Sequence, residues 1–184
     1  MEKKNIKNNW SFYVWCFLVY CIIGWIYEVI WEFAVGNGFV NRGFLHGPYL
    51  PIYGFGVLTL LILLRKLLNA KIKIGKINVK PIVVFLAILV IVSVIEYIAS
   101  WGMELIFHKR WWDYSYDMFN LNGRISLRNS SLLALGGFVL LTFIQPCLNK
   151  AFGKIDKKVL KIGAIVIIAV MSIDLVFTLV GYVR

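Results

Sequence analysis

Along this chain, apolar residues gather in long blocks and do not alternate with polar ones at short period. Five blocks stand out, at about residues 12–35, 49–64, 82–107, 132–148 and 162–183. A bilayer's hydrocarbon core is about 30 Å thick, and about 20 helical residues cross it. In lipid every backbone N–H and C=O must be satisfied within its own segment, which helices do and open loops do not. The pattern therefore predicts an all-α fold: a polytopic integral membrane bundle of about five transmembrane helices, forming a single transmembrane domain over residues 1–184. The second and fourth blocks are short, so their helices are expected to draw on flanking loop residues.

Composition narrows the functional classes. The chain is 60% hydrophobic, far above a soluble domain, and five spans leave no room for a soluble catalytic or nucleotide-binding domain. Net charge is +11. Its lysines lie in short segments between apolar blocks, which fits basic loops facing anionic membrane lipids and not nucleic acid. The first block follows MEKKNIKNN but carries Glu28 and Glu32 and lacks a small-residue cleavage site. It is expected to be a retained span and not a signal peptide. Cys16, Cys21 and Cys147 lie in apolar blocks without metal or disulfide spacing, and read as packing.

Charge predicts orientation. With the N-terminus inside, fourteen of the twenty Lys and Arg fall on the inner side: Lys3, Lys4 and Lys7, then six between Arg65 and Lys80, then five between Lys150 and Lys161. The outer side holds six, namely Arg42, Lys109, Arg110, Arg124, Arg128 and Arg184. The positive-inside rule favours an N-in, C-out arrangement. The cluster Trp111, Trp112, Tyr114 and Tyr116 then lands at the outer surface, where amphipathic rings suit the headgroup layer.

Unusual polar residues collect on that outer side. Counted from the inner ends of their blocks at 1.5 Å per residue, Glu28 lies roughly 25 Å deep, Glu96 roughly 22 Å and Asp174 roughly 18 Å. Glu32 and Glu104 follow nearer the outer surface, and Glu28 and Glu32, four apart, share a helix face. Burying an ionised Asp at a helix centre costs about 3 kcal/mol on the most lenient scales. Such groups pair with cations or stay protonated. The cations at hand are Arg42 in the first outer loop and Arg124 and Arg128 in the second. The expectation is that both outer loops fold back and bring these arginines to the glutamates, as a polar outward-facing site or as a network that only holds helices together. With Asn122 and Asp113 in the second loop, the candidate substrate-binding or buried polar set is Glu28, Glu32, Arg42, His46, Glu96, Glu104, Asp113, Asn122, Arg124 and Arg128.

His46 lies in RGFLHGPYLPIYGFG, residues 42–56, whose prolines suit the first turns of a helix and whose glycines suit close packing. The histidine itself reads either as a pore or ligand side chain or as a hydrogen bond at the helix start. The chain's other histidine is not at metal-ligand spacing from it, and no Ser-His-Asp or Cys-His arrangement stands out. No metal, cofactor or catalytic residue is expected.

A parallel repeat is also visible. Each of the first two span pairs opens with an acid in the outer half of a long block, Glu28 or Glu96. Asn, Gly and Arg follow in the outer loop (Asn41-Arg42-Gly43, Asn122-Gly123-Arg124), and then a short block with Gly54 and Gly56, or Gly136 and Gly137. Such a repeat predicts a pseudo-twofold cavity with carboxylates and arginines face to face.

The segments GWIYE, NRGFLHGPYLPIYGFG, IEYIASWGMELIF, RWWDYS and FNLNGRISL, in this order, resemble the bacterial family described as putative ABC-transporter type IV, or ABC transporter permease. The resemblance covers about residues 12–148 and leaves the fifth block outside. It implies a multi-pass permease or transport-related component of the bacterial cytoplasmic membrane, not an enzyme, working with a separate ATP-binding subunit, as the chain has no Walker A motif of its own. Five short spans make a small pore, so a homo-oligomer is a further expected partner arrangement. Two other classes compete. One is a membrane enzyme acting on a lipid or cell-wall precursor at the outer leaflet, with Glu28, Glu96 or Asp113 as acid or base. The other is a non-catalytic structural or regulatory membrane protein. The inner loop IKIGKINVK reads as strand-like, not as a coupling helix.

Overall fold

The computed structural model describes residues 9–183. Lys3, Lys4, Lys7 and Arg184 of the charge count lie outside them. The helices are α1 (Trp10–Ala34), α2 (Pro51–Leu63), α3 (Arg65–Asn69), α4 (Lys80–Phe107), α5 (Leu127–Val139), α6 (Gln145–Phe152) and α7 (Lys157–Val183). Two antiparallel two-stranded ribbons occupy connections: β1 (Lys73–Ile74) with β2 (Ile77–Asn78), and β3 (Asn120–Leu121) with β4 (Ile125–Ser126).

Local chemistry sets the helix ends. Asn9 Oδ1 caps α1 by accepting from Ser11 N at 3.3 Å. Pro81 sits in the first turn of α4, where a missing N–H costs nothing. Ser126 Oγ caps α5 by accepting from Asn129 N at 3.2 Å, and Asp156 Oδ1 accepts from Lys158 N at 2.7 Å ahead of α7.

Four helical stretches are long and apolar enough to cross a membrane: Trp10–Ala34, Lys80–Phe107, Leu127–Phe152 and Lys157–Gly181. α2 is apolar but only 13 residues long, about 20 Å by helical rise. The chain is thus an all-α, multi-pass membrane protein with four full-length spans among the described residues. The block expected as a second span is a shorter helix. The block expected at 132–148 is part of a longer span, because α5 continues through a π-helical turn (Leu140–Ile144) into α6. Pro146 supplies the reason. It has no N–H for the carbonyl four residues back and its ring crowds that carbonyl, so the preceding turn loosens while the helix goes on.

α4 shows how sequence places lipid and core. Ile82, Leu86, Val90, Val94, Ile98, Trp101 and Leu105 are exposed, spaced three or four apart on one stripe. Val84, Ile88, Glu96 and Ser100 are buried on another. In water the first stripe would be a liability, but against acyl chains it is the expected face.

The chain divides into two compact units, residues 1–58 with 145–184, and residues 59–144. In the first unit, α1 packs against α7 and the start of α2 through small residues. Gly54 faces α1 so closely that a Cβ there would lie 2.5 Å from Cys21 Sγ, and Gly24 and Gly163 accept the rings of Tyr53 and Trp15 in the same way. Trp15 Nε1 donates to Leu160 O at 3.1 Å. Cys21, Leu45 and Tyr49 form a buried cluster with Phe17, Phe44 and Met171 around it. In the second unit, α4 packs along α5, with Gly137 against Ile88 and Leu60.

Candidate functional site

Polar networks lie in both units. In the first, the centre is Asp174 on α7. Its Oδ1 accepts from the backbone N of His46 at 3.2 Å and lies 3.0 Å from His46 Nδ1. Its Oδ2 accepts from Gly47 N at 3.0 Å and from the Tyr49 hydroxyl at 2.5 Å. Thr178, one turn along α7, brings its Oγ1 to 2.9 Å from His46 Nδ1. The Asp174 side chain is 13% exposed and that of His46 72%, so a shielded carboxylate holds a ring that is mostly accessible.

The loop before α2 is fixed on α1 as well. Leu50 N donates to Cys21 O at 3.0 Å, Trp25 Nε1 to Asn41 Oδ1 at 2.7 Å, and Asn41 Nδ2 to His46 O at 3.2 Å. Arg42 forms an ion pair with Glu32, which is buried and also accepts from Asn37 Nδ2 at 2.7 Å. Glu28 accepts from the Tyr53 hydroxyl at 2.5 Å, Tyr53 being the third residue of α2.

In the second unit Glu104 takes two arginines, Arg124 on one oxygen and Arg110 Nε at 3.0 Å on the other. Arg124 is itself buried. Its Nη1 donates to Ser100 Oγ at 3.3 Å and its guanidinium lies 5.8 Å from the Tyr97 ring centroid. Asn122 Nδ2 donates to the Tyr97 hydroxyl at 2.9 Å. Deeper in α4, Glu96 accepts from Asn129 Nδ2 at 2.7 Å and from Ser130 Oγ at 3.4 Å, both in the first turn of α5. Arg128 points elsewhere, with Nη1 3.9 Å from Asp117, which also accepts from Ser126 Oγ at 2.7 Å. Asp113 lies in the exposed outer loop. The Ser115 hydroxyl at 2.5 Å, and after it the Ser115 N–H at 2.9 Å, hold its carboxyl below the usual carboxylate range.

The candidate residues therefore fall into separate groups. Glu28, Glu32, Arg42 and His46 belong to the first unit. Glu96, Glu104, Asn122 and Arg124 share the second. Asp113 sits in the loop ahead of β3, and Arg128 in the first turn of α5. A common plan recurs within each unit: an acid nearer the C-terminal end of the long helix takes the loop arginine (Glu32 with Arg42, Glu104 with Arg124), and an acid one or two turns earlier takes a neutral donor from the third residue of the next helix (Glu28 with Tyr53, Glu96 with Asn129).

Several partners were not singled out from sequence. Ser100 stands four residues from both Glu96 and Glu104, and Thr178 four from Asp174, so helical spacing alone places them on those faces. Tyr49, Tyr53, Asn129 and Ser130 carry no comparable signal, since a tyrosine or asparagine near a helix start is ordinary.

A family model for putative ABC-transporter type IV proteins matches residues 15–179. The chain belongs to this family. The match runs past the motifs of residues 12–148 and takes in most of α7, so Asp174 and Thr178 lie inside the family region of this type IV protein. No curated protein and no solved structure matches the chain. With four apolar membrane-crossing helices, the type IV chain is a multi-pass membrane protein of a transport-type family.

Proposed function

We propose that this protein is the membrane-embedded permease component of an ABC-type transporter in the bacterial cytoplasmic membrane, and that its outward-facing polar groups take up a polar or zwitterionic substrate. The observation that carries this reading is the Asp174–His46 arrangement. A carboxylate inside an apolar helix accepts from three donors of one loop and meets the ring Nδ1 of His46, while that imidazole is left mostly accessible. Ion pairs and buried acids are a poor way to stabilise a small bundle, because desolvation offsets most of their attraction. Ionisable groups within membrane spans are by default a functional feature. In this reading Glu28, Glu32 and Arg42 are the further polar groups of the first unit, and Glu96, Glu104, Asn122 and Arg124, with Asp113 and Arg128, are a separate polar set in the second. The chain acts as one transmembrane domain, oriented N-in and C-out with α2 taken as a fifth, shorter crossing, and a separate ATP-binding subunit supplies the energy, with a second copy of the chain enlarging the pore.

The test is affinity purification from membranes together with uptake in cells. An ATP-binding subunit is expected to co-purify, and His46→Ala and Glu96→Gln are expected to abolish uptake while the folded protein persists. A chain that purifies without such a subunit and alters a phospholipid on incubation would instead be an outer-leaflet enzyme.

A further inference from the structure

The connection between α3 and α4 is an amphipathic β-hairpin. Ile74 pairs with Ile77 and Lys73 with Asn78, and Val79 N donates to Ile72 O at 3.2 Å, extending the ribbon by one pair. Gly75 turns the chain at φ 59°, a left-handed conformation that glycine takes without strain. Side chains alternate between the two faces of a strand. The register therefore places Ile74 and Ile77 on one face, and Lys73 and Asn78 on the other. Ile74 is 72% exposed and Ile77 70%.

A two-stranded ribbon this short is marginal in water and needs a cover for its apolar face. Charge says what covers it. From residue 65 to residue 80 there are six basic residues and no acidic one. Connectivity says where the ribbon lies. It leads directly into α4, a membrane-crossing helix that starts at Lys80, and Lys80 Nζ ties back to Leu68 O at 2.6 Å.

We infer that this hairpin is a membrane-surface anchor: its aliphatic face seats in the headgroup–acyl boundary of anionic lipid while its lysines meet lipid phosphates. Such binding combines buried apolar area with attraction to negatively charged headgroups, and weakens when either is removed. It does not depend on the outer polar site, because it uses none of those residues.

The experiment is spin labelling of the full-length protein in nanodiscs, in a Cys147→Ser background. The labelled variants are Ile74→Cys, Ile77→Cys and Lys73→Cys, read by collision with oxygen and with a water-soluble nickel chelate. In bilayers containing phosphatidylglycerol, labels at 74 and 77 are expected to favour oxygen several-fold over the label at 73. That contrast should fall by at least half in pure phosphatidylcholine, and also when Lys71, Lys73 and Lys76 are replaced by Gln in the variants labelled at 74 and 77. Equal access of the nickel reagent to 73, 74 and 77 in phosphatidylglycerol overturns the inference. So does protection of 74 and 77 that arises only when an ATP-binding subunit is added, which would make the face a protein-docking surface.

Discussion

Asp174 binds His46 twice, through the backbone N–H at 3.2 Å and the ring Nδ1 at 3.0 Å, across 128 residues of sequence. Backbone and ring depend on the carboxylate in different ways. The N–H groups of His46 and Gly47 and the Tyr49 hydroxyl lose their acceptor if the carboxylate goes, whereas loss of the imidazole leaves those three bonds in place.

Asp174→Ala is therefore expected to destabilise the protein by about 3 kcal/mol, the scale of shielded donors left without an acceptor. Asp174→Asn, which keeps one acceptor oxygen, should cost less than half of that. His46→Ala should change thermal stability in detergent little. Equal losses for Asp174→Ala and His46→Ala would mean that the ring, not the loop backbone, is what the carboxylate secures.

Arg42 and Glu32 form a pair in which the glutamate is shielded and the arginine half-accessible. Arg42→Gln should lower the melting temperature by leaving the Glu32 charge held by the neutral Asn37 amide. Adding Glu32→Gln should recover at least half of the loss, since the uncompensated charge is then gone. Arg124→Gln should cost less than Arg42→Gln, because Arg110 still reaches Glu104. Thermal unfolding of the three variants and the parent protein in one detergent checks all three statements.

Packing gives a cleaner contrast. Gly54→Ala puts a methyl 2.5 Å from Cys21 Sγ in a fully buried position, whereas a Cβ at Gly56 meets nothing within 4 Å. Gly54→Ala should destabilise by about 1–3 kcal/mol, the usual range for overpacking, and Gly56→Ala should be neutral. The two glycines belong to one helix and differ by half a turn, so a propensity effect would move them together.

Asp113 supplies a pH dependence. Its carboxyl titrates below its usual value because the folded loop donates two hydrogen bonds from Ser115. A lowered folded value means that the stabilisation is complete above the ordinary carboxylate range near about 4 and is lost as pH falls below it. Amide exchange across the outer loop should quicken as pH drops through that window, after correction for intrinsic rates. Ser115→Ala should flatten the response, and an unchanged profile in that variant would remove Asp113 as its source.

The orientation can be read directly. With Cys147→Ser as background, Lys76→Cys should be protected from an impermeant maleimide in intact cells and Tyr116→Cys, 99% exposed, should react. The reverse pattern would invert the assignment of every polar residue discussed above.

The helical bundle was legible because lipid solubility is a property of composition: a long uninterrupted apolar block has nowhere else to go. The placement of Glu28, Glu96 and Asp174 within long helices was legible too, since each lies inside an uninterrupted apolar block. Length was harder to read. Polar residues such as Arg128, Asn129, Asn149 and Lys150 made the fourth block look short, yet they lie inside a single span that continues through a π turn just before Pro146.

Partner choice was the least legible part. Sequence could say that acids and arginines share one side of the membrane, and could not say that Asp174 would take the loop at His46–Tyr49 or that Asn129 would meet Glu96. Spacing along a helix fixes which residues share a face. Which face meets which loop depends on how neighbouring helices approach, and here small residues such as Gly24, Gly54 and Gly163 set that approach. The sequence by itself determined an apolar, multi-pass helical chain with acids set inside its apolar blocks, because hydropathy is local. Only the tertiary structure decided the hydrogen-bond partners, because those pairs lie up to 145 residues apart and close only when the helices pack.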